Sequence, residues 1–146
     1  MLKYPAKISI DKEEGGYLVS FIDFDNIFTD GETLDEAIKN AGEALNGCLE
    51  SDFERGFEIL DPSTIEGDNI YLISVEPNIA VAILLRKLRG AKSQIDVASE
   101  LHMSYQAYQK LENPRKSNPT IKTLSKLANV FKRELDIVFV PQSKLS

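Results

Sequence analysis

Charge changes sign once along this chain, and that break does more than any other feature to limit how the chain can fold. Residues 1–78 hold 5 Lys or Arg against 18 Asp or Glu, a net of −13, whereas residues 79–146 hold 12 against 5, a net of +7. The total of −6 conceals two opposite halves. A length of 146 residues suits one ordinary domain or two small ones, and the break near Pro77 favours two, residues 1–78 and 79–146. A basic half suits a polyanion, while an acidic half repels that polyanion and attracts a basic protein. One chain is thus expected to serve two different partners.

Composition narrows the class. The content of 42% hydrophobic and 27% charged residues is that of a globular protein, and no apolar run approaches the ~20 residues that cross a bilayer, so no membrane contact is expected. The first ten residues alternate polar and apolar without the layout of a secretory signal, and the single Cys48 has no internal disulfide partner. A reduced, cytoplasmic setting follows.

In the acidic half, Tyr4, Ala6, Ile8 and Ile10 share one face of a period-two stretch, the pattern of a half-buried strand. Glu13-Glu14-Gly15-Gly16 reads as a turn and Tyr17, Val19 and Phe21 alternate again, giving a hairpin. Residues 27–29 add a short third strand, and Pro5 suggests that the first strand lies at an edge. In Thr33-Leu34-Asp35-Glu36 the Thr33 hydroxyl can cap a helix while the Glu36 carboxylate reaches back. Leu34, Ala37, Ile38, Ala41, Leu45, Cys48 and Leu49 then recur at steps of three and four, and Gly56 ends the element. Residues 70–75 form a last strand. The expected unit is βββαβ, an antiparallel sheet with one helix on its face.

Little in this half suggests catalysis. Asp23 and Asp25 form an imaginable metal pair, but a metal nuclease needs several carboxylates converging in one pocket, and most acids here alternate outward or lie on the helix's polar side. A solvated acidic face, with no catalytic residue, metal ligand or cofactor, is the simpler expectation. Cys48 lies on the apolar stripe as a structural thiol. The glycines at 15 and 16 sit in a hairpin and cradle no phosphate.

Certain residues carry a family likeness. Gly16-Tyr17-x-Val19-x-Phe21, Thr29-x-Gly31-x-Thr33-x-x-Glu36-Ala37 and Asp61-Pro62-Ser63 together resemble the HicB antitoxins over residues 1–78. One departure is Asp23-Phe24-Asp25-Asn26-Ile27, where the family usually carries an Asp-x-Pro-Gly-like turn. The resemblance implies a fold like a truncated ribonuclease H without its catalytic carboxylates. It also implies a partner, a small basic HicA toxin that acts on RNA.

The basic half reads as helical throughout. Ala80, Ile83, Leu84 and Leu88 stand at helical spacing before Gly90 stops the first helix, with Arg86, Lys87 and Arg89 near its C-terminal end, where cations suit the helix dipole. Ser93 caps a second helix with Val97, Ala98 and Leu101 inward, and Ser104 caps a third with Ala107, Tyr108 and Leu111 inward. Outward on the third lie Tyr105, Gln106, Gln109 and Lys110, side-chain types that meet base edges or phosphates from the first turns of a recognition helix. A basic loop from Asn113 to Pro119 follows, and Thr120 caps a fourth helix through Leu124, Leu127, Ala128 and Phe131.

The run Gln94-x-x-Val97-Ala98-x-x-Leu101-x-Met103-Ser104, with Gln106-Ala107-Tyr108-x-Lys110-Leu111-Glu112 and Leu124-x-x-Leu127-Ala128 behind it, resembles the Cro/CI-type (XRE-like) helix-turn-helix. The resemblance implies that Tyr105, Gln106, Gln109 and Lys110 read bases in double-stranded operator DNA and that Gln94, Ser104, Arg115 and Lys116 touch phosphate. His102 stands where that family favours Gly, so a somewhat different turn is expected. Leu135, Ile137, Val138, Phe139 and Val140 lie in a strand-like run without a partner in a small helical domain, which predicts pairing with a second copy about a twofold axis. The whole reads as an α+β antitoxin and autorepressor, a homodimer within a toxin–antitoxin hetero-oligomer. The rival readings are a repressor whose acidic half senses a ligand, and a metal-dependent nuclease.

Overall fold

The first alternating stretch forms the middle of a sheet, not its rim. In the computed structural model, which describes residues 2–141, β1 (Lys3–Ile10) lies between β2 (Tyr17–Phe21) and β4 (Ile70–Ser74), and β3 (Phe28–Gly31) pairs with the far side of β2. The order is β3-β2-β1-β4, with every neighbouring pair antiparallel. Met1 and residues 142–146, the outer ends of the two expected domains, lie outside the described residues.

The edge position expected from Pro5 is therefore corrected, and strand parity gives the reason. Ile22 donates its N–H to the Pro5 carbonyl, so the Pro5 nitrogen, which points the same way, faces chain just past the end of β2. The donor that proline lacks is absent where the β2 ladder has already run out. Residues of the other parity serve β4, as when Ile8 donates to the Asn69 carbonyl at 2.9 Å.

Tyr4, Ala6, Ile8, Val19, Phe21 and Ile73 are buried on the face that α1 (Leu34–Glu54) covers. Ile10, expected in that row, is 65% exposed at the last residue of β1. The Thr33 hydroxyl accepts from the Glu36 amide at 3.1 Å, and the Glu36 carboxylate accepts from the Glu32 N–H at 3.3 Å, so the cap closes one residue earlier than a capping box. Ala37, Ala41, Leu45, Leu49 and Phe53 form the buried stripe, with Leu34, Ile38 and Cys48 half-buried at its margin. Asn46, also buried, donates to the Ser74 carbonyl at 3.3 Å and accepts from the Glu76 amide at 2.8 Å, which ties α1 to the end of β4. Gly56, at φ +75°, ends the helix as Phe57 donates to the Asp52 carbonyl at 2.9 Å. At Gly31 a Cβ would stand 2.4 Å from the Ala37 nitrogen, so only glycine lets α1 lie this close to β3.

A second unit begins at Pro77. It holds α2 (Pro77–Arg89), α3 (Gln94–Glu100), α4 (Tyr105–Leu111) and α5 (Ile121–Val130). Leu85, Val97, Ala98, Leu101, Tyr108, Leu111 and Leu127 make one core, against which Met103, Leu124 and Phe131 pack. Of the α2 residues whose spacing marked the helix, only Ile83 is buried. The buried side is Ile79, Ala82, Ile83 and Leu85, while Leu84 is 44% exposed. An unbroken apolar run from Ile79 to Leu85 fits a helix at any rotation, so spacing alone could not choose the inner face. Ala107, expected inward, is exposed as well. Residues 135–140 join no ladder among the described residues, and Phe139 is 96% exposed.

Candidate nucleic-acid and protein interfaces

Local capping fixes the helix-turn-helix. The Ser93 hydroxyl accepts from the Asp96 amide at 3.0 Å, Ser104 from Ala107 at 3.1 Å and Thr120 from Thr123 at 3.1 Å, so three of the four helices begin at a hydroxyl cap. Between α3 and α4 the chain passes through His102 at φ 56°, and Met103 donates to the Ala98 carbonyl at 3.0 Å. The expectation that His102 alters the turn is corrected. The left-handed conformation is kept, at a strain that such a residue ordinarily carries at about 1–2 kcal/mol.

Tyr108 and Leu111 face the core. That rotation leaves Tyr105, Gln106, Gln109 and Lys110 exposed along one continuous arc of α4. Gln94 is half-buried at the first position of α3. The Ser104 hydroxyl, already accepting, keeps its O–H to donate. Arg115 and Lys116 are exposed on a loop held from within. The Asn113 side chain accepts from the Arg115 amide at 3.0 Å, its carbonyl accepts from Lys116 and Ser117, and Asn78 donates to the Pro114 carbonyl at 2.7 Å.

One element of this unit escaped the sequence reading. Arg89 donates to both carboxylate oxygens of Glu112, from Nε at 2.7 Å and Nη2 at 3.0 Å, and to the Lys92 carbonyl at 2.7 Å. The Glu112 side chain is 2% exposed. Its hydrogen bonds raise the Arg89 pKa further, so the guanidinium stays charged. The pair joins the end of α2 to the end of α4. Tyr108 lies beside it, its pKa raised first by burial and then by Glu112, although no partner among the described residues meets hydrogen-bond geometry with its hydroxyl. The available signal was a lone acid directly after the apolar Leu111 in a basic stretch.

In the sheet unit the motif residues meet as a latch. Asp23 accepts from the Ser63 amide at 2.9 Å and from the Ser63 hydroxyl, while the Tyr4 hydroxyl donates to the Leu60 carbonyl at 2.6 Å. The Tyr4 ring lies 5.1 Å from that of Phe24. Burial, then Asp61 and Asp23, push the Tyr4 hydroxyl up to about 12. Asp23 and Pro62-Ser63 thus hold the loop before β4 to the sheet. Asp25 is exposed, and among the described residues no group of three or more His, Cys, Asp or Glu could hold a metal. Cys48 donates to Asp52 at 3.6 Å, and burial followed by Asp52 raises its pKa, which disfavours the thiolate. No helix among the described residues is long and apolar enough to cross a membrane.

A family model described as HicB-like antitoxin of bacterial toxin–antitoxin systems matches residues 3–77, and one described as helix-turn-helix matches residues 84–138. Antitoxin HicB of Escherichia coli (strain K12) is 29% identical over 95% of this chain and 100% of that protein. Antitoxin HicB 2 of Photorhabdus laumondii is 30% identical over 95% of this chain and 97% of its own length. The crystal structure of the Burkholderia pseudomallei antitoxin HicB covers 81% of this chain and 100% of its own, at 23% identity and a TM-score of 0.47.

Proposed function

This chain belongs to the HicB-like antitoxin family of bacterial toxin–antitoxin systems and carries a helix-turn-helix, and from that premise we propose that it neutralises a small basic HicA-type toxin and represses its own operon. Residues 1–78 are the toxin-binding domain in this reading, and residues 79–146 the DNA-binding and dimerisation domain. The sheet unit, with its likeness to a truncated ribonuclease H, acts as a docking scaffold and performs no catalysis. The observation that carries the reading is the joining of an acidic HicB-like unit to a basic helical unit whose α4 exposes Tyr105, Gln106, Gln109 and Lys110 together.

Tyr105, Gln106, Gln109 and Lys110 read base edges in this account, while Gln94, Ser104, Arg115 and Lys116 contact phosphates. Leu135, Ile137, Val138, Phe139 and Val140 pair with their copies in a second subunit. A twofold dimer presents its recognition helices about 34 Å apart, one turn of DNA, so the operator is palindromic. The toxin joins this dimer in a cytoplasmic hetero-oligomer.

Binding of the full chain to operator DNA, with Gln106→Ala and Lys116→Ala alongside, tests the DNA half. Gln106→Ala is expected to cost about 1–3 kcal/mol and relax base preference, and Lys116→Ala to weaken all sequences alike and lower the salt slope by about one. Unchanged operator preference in Gln106→Ala would remove α4 as the reading helix. Co-expression with the toxin tests the other half: growth rescue and a co-purifying complex are expected, and toxicity without a complex would leave a repressor with an unexplained acidic unit.

A further inference from the structure

We infer that the basic toxin of the preceding reading, on which this inference rests, docks on the free edge of β3, with Phe28 as its apolar anchor and Glu14, Asp30 and Glu32 as the carboxylates that meet its cations. The ladder leaves this edge open. Because Ile22 donates to Pro5, the even residues of β2 face β1 and the odd ones face β3, where Tyr17 pairs with Gly31 and Val19 with Thr29. Phe28 and Asp30 therefore turn their backbone groups away from the sheet. Asn40 closes the Asp30 carbonyl at 2.8 Å and Glu36 takes the Glu32 amide at 3.3 Å. What remains open is the backbone of Phe28 and the Asp30 amide, a short edge of the kind to which a partner chain adds.

Side chains and shape agree with the backbone. Phe28, at 72% exposure, is the most exposed large apolar residue among the described residues of the sheet unit, and a buried aromatic anchor is a common centre of binding energy. Concavities of about 300 and 320 Å³ border Phe28, the first with Asp52 and Arg55 and the second with Lys7 in its wall. A third, of about 480 Å³, opens at Asp30 and is lined by Asp11, Glu14, Glu32 and Glu36, with no Lys or Arg in its wall. Glu14, Asp30 and Glu32 are exposed there, so a cationic partner finds charge and an apolar anchor side by side.

The opposite edge is open over a similar length but carries a smaller and less exposed anchor, Leu72 at 49%. Along β4, Ile70 donates to the Gly67 carbonyl at 3.1 Å and the Ser74 carbonyl accepts from Asn46 at 3.3 Å, which leaves both backbone groups of Leu72 and the Ser74 amide open. Its neighbour β1 carries Lys3, which repels a basic partner.

The test uses the full chain and the purified toxin. Phe28→Ala is expected to raise the Kd at least about 30-fold, and the double reversal Asp30→Lys with Glu32→Lys at least about 100-fold with loss of growth rescue. The control, Glu66→Lys with Asp68→Lys before β4, makes the same charge change at the far edge and should shift the Kd less than about fivefold. Equal losses in both reversals, or none in the β3 variants, would overturn the inference. Hydrogen exchange on the unaltered chain guards against variants that misfold. Toxin-dependent protection of the residue 28–32 amides supports the edge, and protection confined to β4 refutes it. If the unaltered chain neither binds nor rescues, the toxin-binding reading itself fails and this inference falls with it.

Discussion

The two units of this chain handle ionisable side chains in opposite ways. The sheet unit keeps its carboxylates at the surface. Where its carboxylates accept across elements or along α1, as at Asp23 and Asp52, the partners are the neutral Ser63 and Cys48. The helical unit instead takes a cation and a carboxylate inside, pairing Arg89 with a Glu112 side chain that is 2% exposed. Net charge along the sequence therefore measures two different things. In the first half it is close to a description of surface. In the second it includes a pair that projects little field, and the basic surface is carried by Lys110, Arg115, Lys116, Lys122, Lys126, Lys132 and Arg133, all exposed.

The largest effect should come from breaking that internal pair. Arg89→Met takes from the buried Glu112 carboxylate its hydrogen-bonded cation and leaves only the nearby charge of Arg86, and losses of this kind run to about 3–5 kcal/mol. Urea unfolding of the helical unit is expected to show a loss of that size, and adding Glu112→Leu should recover most of it, because both charges then leave together. A loss under about 1 kcal/mol in the single variant would place the pair among ordinary surface pairs and erase the contrast between the units.

The corresponding fixed point of the sheet unit is steric. In Gly31→Ala the new methyl meets the backbone of Ala37, which cannot rotate aside as a side chain can, so a cost of about 1–3 kcal/mol is expected. Gly42→Ala and Gly47→Ala lie in α1 with open space around them and should stabilise by about 0.5–1 kcal/mol, since alanine has the higher helix propensity. Thermal unfolding of all three separates close approach from propensity. A neutral Gly31→Ala would mean that α1 can ride up on β3 without penalty.

Those two fixed points also mark how far the sequence could be read. The strands, α1 and the helix-turn-helix were legible because each carries a local signal: period two, a Thr33, Ser93 or Ser104 cap, a glycine stop. Rotations and pairings were less so. The inner face of α2 was hidden by an unbroken apolar run, and the central place of β1 by Pro5, whose missing donor falls harmlessly past β2. The Arg89–Glu112 pair spans 23 positions, and the Asp23–Ser63 latch spans 40. No periodicity links residues so far apart. The exposed arc on α4 was readable because helix geometry alone places Tyr105, Gln106, Gln109 and Lys110 together. Phe28 at the edge of β3 was not, because strand order decides which strand has a free side.

The smallest predicted effect sharpens the comparison by applying one backbone test to both units. His102 in the helical unit and Gly15 in the sheet unit both have positive φ, 56° and 78°. A side chain in that region costs about 1–2 kcal/mol, which His102→Gly removes, while the added freedom of glycine in the unfolded chain takes back about 0.5–1 kcal/mol. A net gain of about 0.5 kcal/mol remains, a rise of roughly 2–4 °C in the Tm of a unit this small. Gly15→Ala runs the exchange backwards in open space and should lower the stability of the sheet unit by a similar amount. If His102→Gly instead destabilised the helical unit, the imidazole would be holding the turn through its own contacts, and His102 would then be a structural part of the helix-turn-helix.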